Sequence, residues 1–416
     1  MKVLWFTNTP GSGEEFINQN SLGGGWIKSL DKAIGKITDL HVAFAYPKPL
    51  EPFVHRGISY HPIIPNNWKR TWLKERIFLK IKDVDELSVY LEIIKKVKPN
   101  IIHIHGTENP FGSIIGKTEI PVVVSIQGNI TVCYQKFLSG IEKKFLFKKE
   151  WNFNRIYDFP FYRSFKKSYR LFEKMKQREI KNLKNCKNII GRTDWDRRIT
   201  RILAPESRYF HVDEVLRDIF YQAQWAQPEN KKLIIHTTNG NSPYKGFETL
   251  CQSLHLLNEL GLNVEWRVAG IKENDLIVKI TKSKLGKEFP KKGLVLMGGL
   301  EEKTLAEKLL ESHIYVMPSH IENSPNNLCE AMILGMPCIA TFAGGTGSLL
   351  KDGEEGILIQ DGDPWAMAGA ILELVNDPDK ATRMGKNARK RALERHDRER
   401  IVKTLIDTYK TIIDGK

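Results

Sequence analysis

Short apolar, β-rich runs alternate with segments of helical period along this chain, and they do so in two series. The first series is KVLWFT (2–7), LHVAFAY (40–46), IIHIHG (101–106), PVVVSIQG (121–128) and NIIGRT (188–193). The second is KLIIHTT (232–238), VEWRVAG (264–270), GLVLMGG (293–299), HIYVMPS (313–319), PCIATF (337–342) and GILI (356–359). Each run is bounded by Gly, Pro or Asn and reads as a buried strand. Helical patterns such as Leu87–Lys98, Phe247–Leu260, Thr304–Ser312 and Pro364–Val375 lie between them. Strands alternating with helices predict parallel sheets covered on both faces. Two series predict an α/β chain of two doubly wound Rossmann-like domains, and 416 residues are too many for one ordinary core. The polar stretch AQWAQPENKK suggests the break. The expected partition is 1–210, a linker at 211–230 and 231–395, with a C-terminal helix at about 396–416 packing back on the first domain.

Composition removes several classes. Hydrophobic residues make up 41% of the chain, a globular value. The apolar start soon turns polar and lacks a cleavage site, so no secretory signal is expected. No stretch approaches the roughly 18 apolar residues of a membrane span. Five scattered cysteines without a CxxC pair suggest reduced thiols in a cytoplasmic protein. The net charge of +15 is uneven: Ile141–Asn188 holds fifteen basic and five acidic residues, a surplus of ten, among many aromatics. A second basic-aromatic patch runs from Trp68 to Lys82.

Open α/β sheets bind ligands beyond the carboxyl ends of their strands. After the first strand, Gly23, Gly24 and Gly25 precede a helix, whose N-terminus offers N–H groups to a phosphate. The first strand of the second series leads to Lys245-Gly246 at a helix start, where a lysine can neutralise a diphosphate. The fourth leads to Glu322, then Pro325-Asn326-Asn327 and a helix containing Glu330. Asn327 and Glu330 are spaced as a capping box, a purely structural explanation for the second glutamate but not the first. Gly344-Gly345 follow the next strand.

The combination of Lys245-Gly246, PSHIENSPNNLCEAMILGMPCIAT, AGG at 343–345 and DGEEGILI followed by GDP resembles the retaining, nucleotide-sugar-dependent glycosyltransferases of family 4. The resemblance covers roughly the C-terminal half; the N-terminal half offers only the glycine loop, HIHG and SIQG. It implies the GT-B fold, with two Rossmann-like domains facing a cleft, the first binding acceptor and the second binding donor. It implies that Glu330 meets the ribose hydroxyls, Glu322 the donor sugar, and backbone N–H groups near Asn327, Leu328 and Cys329 the diphosphate. Gly24, Gly25 and Asn239 join the expected donor contacts, and Lys245, Glu322 and Gln127 are the expected catalytic residues. Two departures stand out. Where many relatives carry a phosphate-binding arginine shortly before the lysine, this chain has Asn239 or Gly240. Where many have a histidine after the fourth strand, it has Gln127, which cannot take a proton. That agrees with the family's proposed mechanism, in which the leaving diphosphate receives the acceptor's proton.

The expected partners are a UDP- or GDP-sugar and a glycan or lipid-linked acceptor, in cell-surface polysaccharide synthesis. The expected place is cytoplasmic, peripheral on an anionic membrane through 141–188; a solvated face with core aromatics behind it explains the same block. No cofactor and no metal are expected. Three Asp-x-Asp triplets, at 83–85, 194–196 and 361–363, arise easily by chance. A nucleic-acid binder is the rival for so basic a chain, yet no zinc spacing or RRM-like motif supports it. A phosphorylase would need a lysine-bound pyridoxal phosphate, and no lysine stands out for that.

Overall fold

The structure is a computed structural model describing residues 1–17, 25–46, 48–63, 86–147, 165–229 and 232–415. In the first sheet the strands are β1 (Lys2–Thr7), β2 (Asp39–Ala45), β3 (Phe53–His55), β4 (Ile58–Ile63), β5 (Ile101–His105), β6 (Val122–Ser125), β7 (Asn188–Gly191) and β8 (Arg208–His211). Their order is β3-β4-β2-β1-β5-β6-β7-β8, parallel except for β3, which runs antiparallel to β4. The second sheet holds β9 (Leu233–Thr238), β10 (Val264–Ala269), β11 (Leu294–Gly298), β12 (Ile314–Met317), β13 (Cys338–Thr341) and β14 (Ile357–Ile359). It is wholly parallel, in the order β11-β10-β9-β12-β13-β14. Strand order reverses between β1 and β5 in one sheet and between β9 and β12 in the other. Those crossovers are where a doubly wound sheet leaves a crevice for a ligand.

The eleven apolar runs all became strands. Three more, β3, β4 and β8, were not expected. β4 carries Pro62, and β3 joins it through a turn at Arg56 and Gly57, both at positive φ. A proline and alternating polar residues hide such a strand from a search for apolar runs.

Two compact units divide the chain. One comprises Met1–Tyr134, Arg170–Leu216 and His396–Lys416; the other comprises Gln135–Tyr169 and Arg217–Arg395. This differs from the expected partition in two places. Residues 135–169, placed by sequence in the first domain, belong to the second unit. Phe137, Ile141 and Leu146 are buried, the Phe137 ring lies 5.9 Å from that of Tyr244, Lys136 pairs with Asp361 at 3.3 Å, and Lys284 donates to the Gly140 carbonyl. Within the basic block the aromatic Phe165 is buried as well, so part of its aromatic content serves as core. The stretch expected as a linker is also docked: Trp225 is buried, its backbone N–H bonds the Leu334 carbonyl at 2.7 Å, and its Nε1 bonds the Ser312 carbonyl at 2.7 Å.

The C-terminal helix Arg398–Ile413 closes the first unit. Ile401, Leu405, Tyr409 and Ile412, one stripe at helical spacing, enter the same core as Trp5, Val42 and Ile101. The Tyr409 hydroxyl accepts from Trp5 Nε1 at 3.0 Å and lies 2.6 Å from His103 Nδ1, whose Nε2 is 2.6 Å from Ser125 Oγ. Burial, aided by the charge of Arg192, pushes His103 down to about 3, so the ring is neutral.

Candidate functional site

At the β9–β12 crossover of the second unit, backbone contacts set the loops. Gly246 has φ +70 and ends the short turn Pro243–Lys245; a Cβ there would run into the Pro318 carbonyl. Gly270, φ +95, meets the Asn239 carbonyl in the same way, and Gly344, φ +62, meets that of Glu322. The left-handed backbone and the close approach both require glycine. The Gly345 N–H donates to the Glu322 carbonyl at 2.9 Å, and the His320 N–H donates to that of Tyr244 at 2.8 Å. The loops after β9, β12 and β13 thus hold one another without relying on side chains.

Against this frame the side chains sort into two ion pairs. Lys245 Nζ lies 2.6 Å from Glu322 Oε1, which also accepts from Ser319 Oγ at 2.8 Å. Eight residues on, Glu330 is held by Arg217 in a two-pronged pair, Nε to Oε1 at 2.8 Å and Nη2 to Oε2 at 2.7 Å. Glu330 is 4% exposed. Burial raises its pKa and Arg217 pulls against that rise, leaving the carboxyl above its usual range. Desolvation acts to lower Arg217, and the hydrogen bonds and charge of Glu330 more than offset it. Tyr315, on β12, feels the charge of both Glu322 and Glu330.

Between the pairs lies the helix Asn326–Leu334. It has Pro325 in the capping position and no side-chain cap. The capping-box expectation is therefore corrected. Glu330 is the fifth helical residue and is turned to Arg217, while Asn327 donates Nδ2 to the Thr238 carbonyl at 2.6 Å and accepts from the Leu328 N–H at 3.0 Å. The expected phosphate donors shift as well. The amides of Leu328 and Cys329 already bond the Pro325 carbonyl, at 3.1 and 3.2 Å. That leaves the N–H groups of Asn326 and Asn327 to open the first turn. Beside them the buried Ser324 Oγ and Asn326 Oδ1 have no hydrogen-bond partner among the described residues. An uncapped helix start with a lysine nearby is a place for an anion.

The remaining expected residues fall as follows. Asn239 is spent on its own loop, donating Nδ2 to the Lys245 carbonyl at 3.0 Å and accepting from the Gly240 N–H at 2.9 Å. Leu328 is fully buried and can offer only backbone. Gln127 belongs to the first unit, just past β6 and beside Glu108 and Gly106. Gly25 opens the helix Gly25–Ile34; Gly24 lies outside the described residues, as do the 68–82 patch and Asp83-Val84-Asp85. In the other Asp-x-Asp triplets, Asp196 accepts from the Arg192 N–H at 2.9 Å and from Tyr209 at 2.6 Å, and Asp363 caps the helix Pro364–Asn376. Arg217 is the residue that the sequence did not disclose. It stands outside every motif, and its only signal was a cation missing where relatives have one.

Residues 219–391 match the family described as glycosyl transferases group 1. Over 112 residues the chain is 32% identical to N-acetyl-alpha-D-glucosaminyl L-malate synthase of Bacillus anthracis, covering 27% of this chain and 28% of the relative. Over 169 residues it is 27% identical to the capsular polysaccharide biosynthesis glycosyltransferase CapM of Staphylococcus aureus, covering 41% and 43%. The matched stretches thus span less than half of either relative. Among solved structures, sucrose-phosphate synthase from Thermosynechococcus elongatus superposes with a TM-score of 0.74 at 15% identity, over 100% of this chain and 99% of that one. Anabaena Alr3699/HepE in complex with UDP-glucose gives 0.65 at 13%, over 99% and 100%. Residues 219–391 are thus similar to the glycosyl transferases group 1 family, and the chain carries a GT-B fold.

Proposed function

We propose that the protein transfers a sugar, with retention of anomeric configuration as in family 4, from a nucleotide-diphosphate sugar to a glycan or lipid-linked acceptor in cell-surface polysaccharide synthesis. One observation carries this: two cation–carboxylate pairs, Lys245–Glu322 and Arg217–Glu330, flank the open first turn of Asn326–Leu334 at the β9–β12 crossover. A nucleotide sugar has the matching sequence of groups, a ribose diol, a diphosphate and a sugar. Glu330 accepts the ribose hydroxyls, the first-turn amides and Lys245 hold the diphosphate, and Glu322 meets sugar hydroxyls. UDP is the favoured donor nucleotide, because it is what the similarly folded HepE holds; CapM, a capsular polysaccharide enzyme, supports the acceptor class.

In the reaction the bond from the anomeric carbon to the phosphate oxygen breaks. The acceptor oxygen bonds the same face of that carbon, and its proton passes to the departing phosphate. Lys245 stabilises the charge that develops there, leaving Glu322 for the diphosphate as the donor arrives. The first unit binds the acceptor. There Gln127 offers an amide to a hydroxyl and takes no proton, and Gly25, at a helix start, offers backbone. No metal is required where a lysine and helix amides face the phosphates. Among the described residues no helix is long and apolar enough to cross a membrane. The basic block at 141–188 docks instead to the inner, cytoplasmic face of an anionic membrane, so the protein should sediment with anionic vesicles and be released by salt.

The test is a panel of UDP-, GDP- and ADP-sugars with the parent, Glu322→Gln and Glu330→Gln. Glu330→Gln should weaken free nucleotide by roughly 1–2 kcal/mol. Glu322→Gln should bind nucleotide as the parent does and lose turnover of the intact donor. Parent-like binding and turnover in both variants would refute the donor reading.

A further inference from the structure

We propose that Arg217 is a positioning residue of the nucleotide site: its two-pronged hold on Glu330 fixes that carboxylate so that its unused acceptor positions face a vicinal diol. The proposal rests on the donor reading above. A carboxylate has about four acceptor positions, and Arg217 takes two, one on each oxygen, at 2.8 and 2.7 Å. Two remain, the number that a diol requires. The guanidinium is itself held from behind. It lies 4.8 Å from the ring centre of the fully buried Phe220, on the helix Asp218–Gln222 that Arg217 introduces. Trp225 then ties the following residues to Leu334, the last residue of the helix bearing Glu330, and to Ser312. Guanidinium and carboxylate are thus each fixed by backbone, and a rigid planar fork sets both distance and tilt.

The pair also keeps the carboxylate an acceptor. Glu330 faces Arg217, Glu302 from the helix Glu302–Leu310, and the Tyr315 ring from β12. Of these only Arg217 favours the ionised form; burial and Glu302 oppose it. Without Arg217 the carboxyl would hold a proton to higher pH and stop accepting from a second hydroxyl. Nucleotide affinity would then fall as pH drops through that raised value and return as pH rises.

The experiment is calorimetric titration of the parent, Arg217→Met, Arg217→Lys, Glu330→Gln and the Arg217→Met/Glu330→Gln double variant. UDP and GDP are both used, and the one binding the parent more tightly serves as probe. Thermal unfolding of each variant is run alongside. Arg217→Met should bind at least about tenfold more weakly at neutral pH and recover toward alkaline pH, with Arg217→Lys intermediate. In the Glu330→Gln background the same change should add less than about twofold, because its effect runs through Glu330. Parent-like affinity in Arg217→Met overturns the proposal. Equal losses in both backgrounds also overturn it, placing Arg217 on the phosphates directly. If Arg217→Met does not fold, Arg217→Lys decides, and parent-like binding there is refuting. Failure of the donor reading looks different: Glu330→Gln binds like the parent, or neither nucleotide binds the parent.

Discussion

Replacing Gly246 by alanine tests whether backbone contact is what places Lys245. Two costs are involved. The first is the left-handed backbone, φ +70, which an L side chain occupies at roughly 1–2 kcal/mol. The second is the Cβ itself, which would meet the Pro318 carbonyl and force the β9 and β12 loops apart. Overpacking of this kind costs roughly 1–3 kcal/mol. A control within the same unit separates the two. Gly261 has φ +78 with nothing within 4 Å of a Cβ, so Gly261→Ala incurs the first cost alone. Differential scanning calorimetry should show the transition of the second unit lowered in both variants, at roughly 2–4 °C per kcal/mol for a domain of this size. Gly246→Ala should fall further, by the overpacking cost. It should also lose turnover, because the residue before it is Lys245, whereas Gly261→Ala should keep it. Equal shifts in the two variants, or parent-like turnover in Gly246→Ala, would refute the view that this contact sets the lysine.

Three further outcomes are expected. Lys245→Ala should lower kcat/KM on the order of a hundredfold, about 3 kcal/mol; an unchanged value would make it a surface lysine. Activity should survive excess EDTA, and loss with rescue by manganese would refute the metal-independent reading. Tyr409→Phe should destabilise the first unit by roughly 1–3 kcal/mol in urea unfolding, because the Trp5 N–H loses its buried acceptor. Parent-like stability would show that water or a neighbouring group replaces it.

What the sequence disclosed follows from what it encodes locally. The strands of a parallel sheet are buried on both faces, so β1, β5 and β9 are apolar runs that can be read directly. β8, half exposed with an arginine and a histidine at its ends, carries no such signal. Lys245, Glu322 and Glu330 could be singled out as candidates because each follows a strand or lies near a helix start. Arg217 was not, because its meaning lies 113 residues away on Glu330. The capping box failed for a related reason. Asn327 and Glu330 have the spacing of a cap, but the Thr238 carbonyl and Arg217 claim both side chains, and neither partner is local.

The return of the C-terminal helix has a consequence for how the chain matures on the ribosome. Tyr409, Leu405 and Ile401 complete a core that begins with Trp5, so the first unit cannot close until the helix Arg398–Ile413 is made. Conversely, Phe137 and Ile141 are synthesised early and must wait for Tyr244 and its surroundings before they are covered. The second unit is complete once Arg395 is made, whereas the first still waits for the helix that follows it. The contacts that close them span about 400 and about 100 residues, and such distant closures are slow. Until those partners are made the nascent protein carries an uncovered apolar stripe at β1 and another at 137–146, surfaces of the kind that invite aggregation.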